Sequence, residues 1–186
     1  MLKKMRGFTL IELLIVVAII GILAALLIPN ALEAIQKAKQ KSAMKAIMTV
    51  STAAVDYITD RGDWTGVTQN GPLVAANPFV TAIGAFYIKV VPVLDPWNTA
   101  YQAYVGATVT TLIPGAVAPN APAADDFAMA SFGRNKVTGP TSATSYTIAN
   151  PEGGLYSVTG MTSFDNDLAA WNGAWVCGPR TTAVAS

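Results

Sequence analysis

The sequence predicts an α+β fold in which a long N-terminal α-helix packs on a small antiparallel β-sheet. From Phe8 to about Asp60 the chain has the pattern of one helix, and residues 13–32 carry no charge, a length that crosses a bilayer core. After Asp63, Gly, Pro and Asn recur at short intervals between brief runs of β-forming residues. The length of 186 residues suits one folded domain behind the apolar segment.

Composition and charge exclude several classes of function. The chain has no histidine, which removes the commonest general base, and its one cysteine, Cys177, excludes an intrachain disulfide and a Cys/His zinc site. Through Lys45 the chain is basic, whereas the remainder is mildly acidic and has no basic patch interleaved with aromatics. We therefore expect no nucleic-acid partner. No nucleophile elbow, HExxH motif or phosphate-binding loop is present, so the sequence favours a non-enzymatic protein.

The N-terminal apolar run admits three interpretations. Three basic residues precede it (Lys3, Lys4 and Arg6), as in a cleaved secretory signal, but no small-x-small cleavage site follows. The same residues suit a membrane anchor with a cytoplasmic N-terminus. Neither interpretation accounts for Glu12, because an ionisable side chain near the bilayer interior is costly unless it has a partner.

The third interpretation is a resemblance. Residues 6–12, RGFTLIE, followed by LLIVVAIIGILAALLIPNA, resemble the class III signal of type IV pilins and type II secretion pseudopilins. The resemblance implies that a prepilin peptidase cuts between Gly7 and Phe8 and methylates the new amino group of Phe8. It also implies that Glu12 pairs with the N-terminal amine of a neighbouring subunit in a filament. Because a buried carboxylate is tolerable only when paired, Glu12 would fix the axial register of the subunits.

The resemblance also implies the pilin fold and its organisation. Residues 1–7 would be a cleaved leader, residues 8–32 the transmembrane and filament-core helix, and residues 33–186 a periplasmic globular head that includes the second half of the long helix. The chain would cross the bacterial inner membrane once, in contact with its lipid, with a cytoplasmic N-terminus. The filament would lie in the periplasm or at the cell surface.

Within the long helix, Gly21 and Pro29 are weak points. Proline removes a ladder hydrogen bond and clashes with the carbonyl four residues before it, which predicts a kink or local melting near residues 25–29. Alternatively, the proline is tolerated in the membrane and has no role. Residues 61–63, Arg-Gly-Asp, should end the helix, because glycine suits a left-handed cap. One apolar face should carry the head, and its members recur at helical spacing: Ala43, Ile47, Val50, Ala54 and Ile58.

Four segments of the head have the composition of strands, each bounded by turn residues. They are residues 85–94, 99–109, 145–150 and 154–160. The Pro/Ala-rich residues 112–126 should form a surface loop.

One motif in the head favours a branch of the family. Asp95-Pro96-Trp97, followed by Tyr101-Gln102, resembles the DPWGNPYQY element of the major pseudopilin of type II secretion, although Asn-Thr-Ala replaces the usual Gly-Asn-Pro at residues 98–100. Its physical interpretation is a turn: the Asp carboxylate accepts backbone N–H groups ahead of it, proline fixes φ, and the aromatic residues anchor the turn.

A second pair of segments predicts a calcium site. Residues 130–135 and 163–168 resemble the calcium-holding loop of the major pseudopilin, with Asp165 and Asp167 as carboxylate ligands and Ser131 or Ser163 as a further oxygen. Arg134 departs from that pattern, because it stands where the family has a small residue. The alternative is that both aspartates are solvated loop acids. Since a lone cysteine cannot close the loop with a disulfide, a metal would be the available clip.

The function that the resemblance implies is mechanical. The chain would be a structural subunit of a pilus-like filament, the major pseudopilin of a type II secretion system that drives protein export. The alternative is a type IV pilin that forms surface fibres for adhesion or motility. The implied partners are other copies of the chain, the prepilin peptidase, a platform membrane protein and minor pseudopilins, with a separate cytoplasmic ATPase supplying energy.

Overall fold

The computed structural model describes residues 7–84 and 86–180. The chain divides into two compact units between Ile35 and Gln36. Residues 1–6, most of the predicted leader, lie outside the described residues. The long N-terminal helix on a mostly antiparallel sheet confirms the predicted α+β pilin fold.

Helix α1 spans Leu10–Arg61. It ends where the sequence predicted, because Gly62 adopts the left-handed conformation with φ of 89° and donates its N–H to the carbonyl of Ile58 at 2.6 Å. The helix continues through Gly21 and Pro29 without interruption, so no local melting is observed there, and the predicted kink stays a prediction. A proline deletes one ladder bond, and the turns on both sides keep theirs.

Within residues 36–84 and 86–180, the head contains six strands and several short helices. The strands are β1 (Asn70–Pro72), β2 (Gln102–Val105), β3 (Phe127–Ser131), β4 (Gly154–Tyr156), β5 (Leu168–Trp171) and β6 (Ala174–Pro179). The short α-helices are α2 (Pro78–Gly84) and α3 (Val109–Leu112), and 3₁₀ helices span Gly106–Thr108, Ala143–Ser145 and Met161–Asp165. The strand order is β1-β2-β3-β5-β6-β4, antiparallel except for the β4–β6 pair, which is parallel.

Both faces of the sheet are covered. On one face, Ala103, Phe127 and Met129 pack with the buried side of α1, which includes Ala43, Ile47, Val50 and Ala54 as predicted and leaves Ile58 partly buried. On the other face, alternate residues such as Tyr104 and Ala128 pack with Val109, Ile113 and Tyr146. The central strands β2 and β3 are therefore buried at every position.

Two predicted strands are wrong. Residues 86–90 form turns and bends, because Tyr87 and Ile88 both donate their backbone N–H to the carbonyl of Ile83 at 3.1 Å and so extend the turn after α2. Residues 91–93 have no regular secondary structure. Residue 85 lies outside the described residues. Residues 145–150 form a turn closed by the backbone bonds between Thr147 and Asn150.

The other two predicted strands are confirmed in part. Residues 99–109 contain β2, and residues 154–160 contain β4. The predicted loop at residues 112–126 contains no strand and no helix after Leu112. Ile113 and Ala116 at its start are nevertheless buried and pack in the second core cluster.

Candidate functional site

The N-terminus of α1 is built as a capping box. Thr9 donates its backbone N–H and its hydroxyl to Oε2 of Glu12 at 2.9 and 2.6 Å, and the Glu12 N–H donates to the Thr9 hydroxyl at 3.3 Å. The carboxylate also lies at the end of the helix where the macrodipole favours a negative charge. Sequence reasoning missed this arrangement, although the Thr-x-x-Glu spacing was its signal.

The predicted cleavage site is exposed and precedes the helix. Gly7, Phe8 and Thr9 have no regular secondary structure, and the Phe8 side chain is 78% exposed. A peptide bond in such a segment is open to a protease, whereas a bond within a helix is not.

The first part of α1 presents apolar side chains on every side. Leucine, isoleucine and valine residues from Leu10 to Ile35 are exposed, and the helix is long and apolar enough to cross a membrane by length and composition. Soluble monomers rarely expose a contiguous apolar surface of this kind, so it marks contact with lipid or with other protein.

The Asp95 motif forms a buried turn. Oδ1 of Asp95 accepts the backbone N–H of Trp97 at 3.0 Å and of Thr99 at 2.8 Å, and Oδ2 accepts the Ser131 hydroxyl at 2.7 Å. The indole N–H of Trp97 donates to Oε1 of Gln36 on α1 at 2.8 Å. The turn therefore joins α1 to strand β3, and Ser131, a predicted calcium ligand, is used in it.

The two segments predicted to hold calcium do lie together. Arg134 forms a bidentate pair with Asp165: Nε to Oδ1 is 2.8 Å and Nη2 to Oδ2 is 2.9 Å. The hydrogen bonds from the guanidinium hold the pKa of Asp165 below its ordinary value. A positively charged side chain thus lies against one of the two predicted carboxylate ligands.

The second carboxylate, Asp167, is 3% exposed. Its Oδ1 accepts the backbone N–H of Gly139 at 2.8 Å, and burial raises its pKa to about 7 against the smaller opposing effect of that bond. The Cys177 thiol donates to the backbone carbonyl of Asp167 at 3.2 Å, and burial raises the pKa of this thiol. Cys177 is thus a buried core side chain.

The residues as they stand do not fit a calcium ion. Asp165 is paired with Arg134, Asp167 with a backbone N–H, Ser131 with Asp95, and the Ser163 hydroxyl accepts the Thr159 N–H at 3.1 Å. Within residues 7–84 and 86–180, no three acidic or cysteine side chains cluster in a way that could hold a metal. Calcium prefers six to eight oxygens, several of them anionic, whereas each of the four predicted ligands already has a hydrogen-bond partner.

The long apolar helix with a glutamate at its start, followed by a compact β-sheet head, defines a pilin-like filament protein. Residues 2–28 match the family model described as the prokaryotic N-terminal methylation motif. The type II secretion system core protein G of Aeromonas hydrophila is 35% identical over 106 residues, covering 54% of this chain and 73% of that protein. Its namesake in Vibrio cholerae is 35% identical over 108 residues, with the same two coverages. The chain belongs to the family of type II secretion system core protein G, the major pseudopilins.

A third relative belongs to the other branch. The type IV major pilin protein PilA of Myxococcus xanthus is 48% identical over 56 residues, which cover 30% of this chain and 26% of that protein. The higher identity extends over a much shorter segment. No solved structure matches the chain.

Proposed function

We propose that the chain is the major structural subunit of a type II secretion filament, which assembles from the inner membrane and drives protein export through the periplasm. The observation that carries this proposal is the apolar surface of α1 between Leu10 and Ile35, which no part of the described chain covers. The chain's membership in the core protein G family supports a secretion filament as the assembly in which this surface is covered.

The apolar surface has two successive environments in this mechanism. In the waiting subunit it lies in the lipid of the inner membrane, with the N-terminus cytoplasmic and the head periplasmic. In the filament it packs against the same helix of other copies. Transfer between two apolar environments costs little hydrophobic free energy, so the polar group at the end of the helix decides the register.

Glu12 is suited to that role. In the described residues Oε2 carries both bonds from Thr9, and no bond to Oε1 is found. An amine of a neighbouring chain, made available by cleavage after Gly7 and methylated at Phe8, would pair with the carboxylate. Because an unpaired buried carboxylate is penalised, a subunit gains stability in one axial position only.

The chain itself is not an enzyme in this proposal. Cleavage and methylation fall to the prepilin peptidase, energy to a cytoplasmic ATPase, and extraction from the membrane to a platform protein. Minor pseudopilins would begin or cap the filament. Within the described residues, the acids that are buried or paired serve hydrogen bonds of the fold.

The test is made in the bacterium that encodes the chain. Intact-mass measurement of the membrane-extracted protein should show loss of residues 1–7 and a methylated Phe8. Deletion of the gene should abolish export of a secreted enzyme, and the wild-type gene should restore it. A Gly7→Val variant, which places a branched side chain at the cut, should remain uncleaved and fail to restore export.

A type IV pilin is the second candidate, and the Myxococcus match favours it. It predicts surface fibres and a loss of adhesion or motility on deletion, with export unaffected. Normal export in the deletion strain, together with missing surface fibres, would therefore replace the secretion proposal with this one.

A further inference from the structure

We propose that this head is closed without calcium, because the guanidinium of Arg134 occupies the place of the cation that the family resemblance implies. The two segments concerned are called the Arg134 loop, residues 132–142, and the Asp165 loop, residues 161–167. The proposal goes beyond the filament function and does not depend on it.

The first support is the ion pair. Arg134 meets Asp165 side-on through two parallel hydrogen bonds of 2.8 and 2.9 Å, the geometry that makes arginine–carboxylate pairs specific. The two side chains are 33% and 22% exposed, so the pair is partly shielded from water. A fixed cation on the Arg134 loop therefore holds the acidic loop, which is the task a bound metal would perform.

The second support is that backbone donors use three further oxygens of the Asp165 loop. The N–H of Arg134 donates to the carbonyl of Phe164 at 2.8 Å, and the N–H of Thr141 donates to Oδ1 of Asn166 at 3.1 Å. Gly139 donates to Oδ1 of Asp167 at 2.8 Å. A calcium ion would compete with these donors for the same oxygens.

The third support is how closely the two backbones approach. A Cβ atom on Gly133 would lie 2.7 Å from the carbonyl oxygen of Asn166 and 2.8 Å from that of Phe164. A Cβ on Gly139 would lie 2.2 Å from the carbonyl oxygen of Asp165. The two loops are therefore in direct backbone contact at Gly133 and Gly139, which holds them together without a bridging ion at these two points.

The first experiment is a calcium titration of the full chain in detergent micelles. Tryptophan fluorescence reports unfolding of the head, because all four tryptophans follow residue 63. We expect the same Tm with millimolar calcium chloride and with chelator. A ligand that binds only the folded state must raise Tm, so a calcium-dependent rise that disappears in Asp165→Ala would overturn the proposal.

The second experiment removes the cation. Arg134→Ala should lower Tm by about 2–4 °C, and Asp165→Ala should lower it by a similar amount. The double variant should be no less stable than either single variant, because both delete one interaction. The matched control is the Arg180–Glu152 pair, also 2.8 Å but with Glu152 64% exposed, for which Arg180→Ala should have a smaller effect.

Additive losses in the Arg134/Asp165 double variant would also overturn the proposal. If Arg134→Ala does not fold, Arg134→Lys supplies the test, since lysine keeps the charge and loses the bidentate geometry. We expect Arg134→Lys to melt below the wild type and to show no response to calcium. If calcium stabilised this variant, calcium and not the guanidinium would be the cation that holds the two loops, and the proposal would be wrong.

Discussion

The two halves of helix α1 are both rich in apolar residues, but they meet different surroundings. From Leu10 to Ile35 large apolar side chains are exposed around the helix. From Gln36 to Arg61 the helix buries one face, which includes Ile47 and Val50, against the sheet. The two halves differ in the pattern of their apolar residues. A helix that is apolar on all sides must be covered by lipid or by other chains, whereas a helix with one apolar stripe can bury that stripe against its own domain.

The largest effect is expected in residues 36–61 of α1, the half that packs on the sheet. Ile47→Ala should destabilise the head by about 2–5 kcal/mol, because Ile47 is fully buried and its removal leaves a cavity. Ile22→Ala, the same change in the exposed half, should alter head stability by about 0.5 kcal/mol or less. Denaturant unfolding in micelles, followed by tryptophan fluorescence, measures both. Equal losses of stability in the two variants would show that both halves of α1 contribute equally to the stability of the head.

The next largest loss of stability is expected at the Asp95 turn, which joins residues 36–61 of α1 to the sheet. Asp95→Ala should cost about 1–3 kcal/mol, because Asp95 is 5% exposed and its removal leaves the donors of Trp97, Thr99 and Ser131 without their acceptor. Asp125→Ala, an exposed acid in a loop, is the control and should be nearly neutral. A neutral Asp95→Ala would show that the turn holds by packing alone.

The smallest effect, over one pH unit near neutrality, is a dependence on pH. A free aspartate titrates near pH 3.9, whereas burial raises the pKa of Asp167 to about 7. The folded state therefore binds this proton more tightly than the unfolded state does. The contribution of Asp167 to the free energy of unfolding is complete below the unfolded pKa and falls as pH rises towards 7. Between pH 6.5 and 7.5 the loss should be about 0.7 kcal/mol, half a proton over one pH unit.

Asp167→Asn removes the titrating group and keeps an oxygen for Gly139. Its free energy of unfolding should lack the decline that the wild type shows over the same interval, measured by denaturant unfolding at each pH. An identical decline in both proteins would place the titrating group elsewhere.

The helix could be predicted from sequence, and most of the sheet could not. The apolar stripe through Ile47 and the glycine at residue 62 carry strong local signals, and both bounds of α1 lie within two residues of expectation. Strands β3 and β5 show no alternation of polar and apolar residues, because the sheet is covered on both faces and the strands are rich in alanine. Residues 86–93 had the composition of a strand, but backbone bonds to the end of α2 decide their conformation.

The candidate sites show the same division between local and distant information. The cleavage site and Glu12 were named from a local motif, and the capping box at Thr9 was readable from the same spacing. That residues 130–135 and 163–168 meet was inferred from resemblance. The pairing of Arg134 with Asp165 joins residues 31 positions apart, and only the fold brings them together.

In the proposed filament, the exposed half of α1 forms the core and the charge of Glu12 sets the register of the subunits. The direct measurement is the fraction of chain in sheared filaments from cells that make Glu12→Gln, compared with Glu33→Gln on the same helix. Glutamine still accepts the Thr9 bonds of the capping box, so the helix start is kept while the charge is removed. Loss of a buried pair costs about 3–5 kcal/mol, so we expect at least about a hundredfold fewer filaments from Glu12→Gln and normal filament levels from Glu33→Gln. Wild-type filament levels for Glu12→Gln would contradict this role of Glu12.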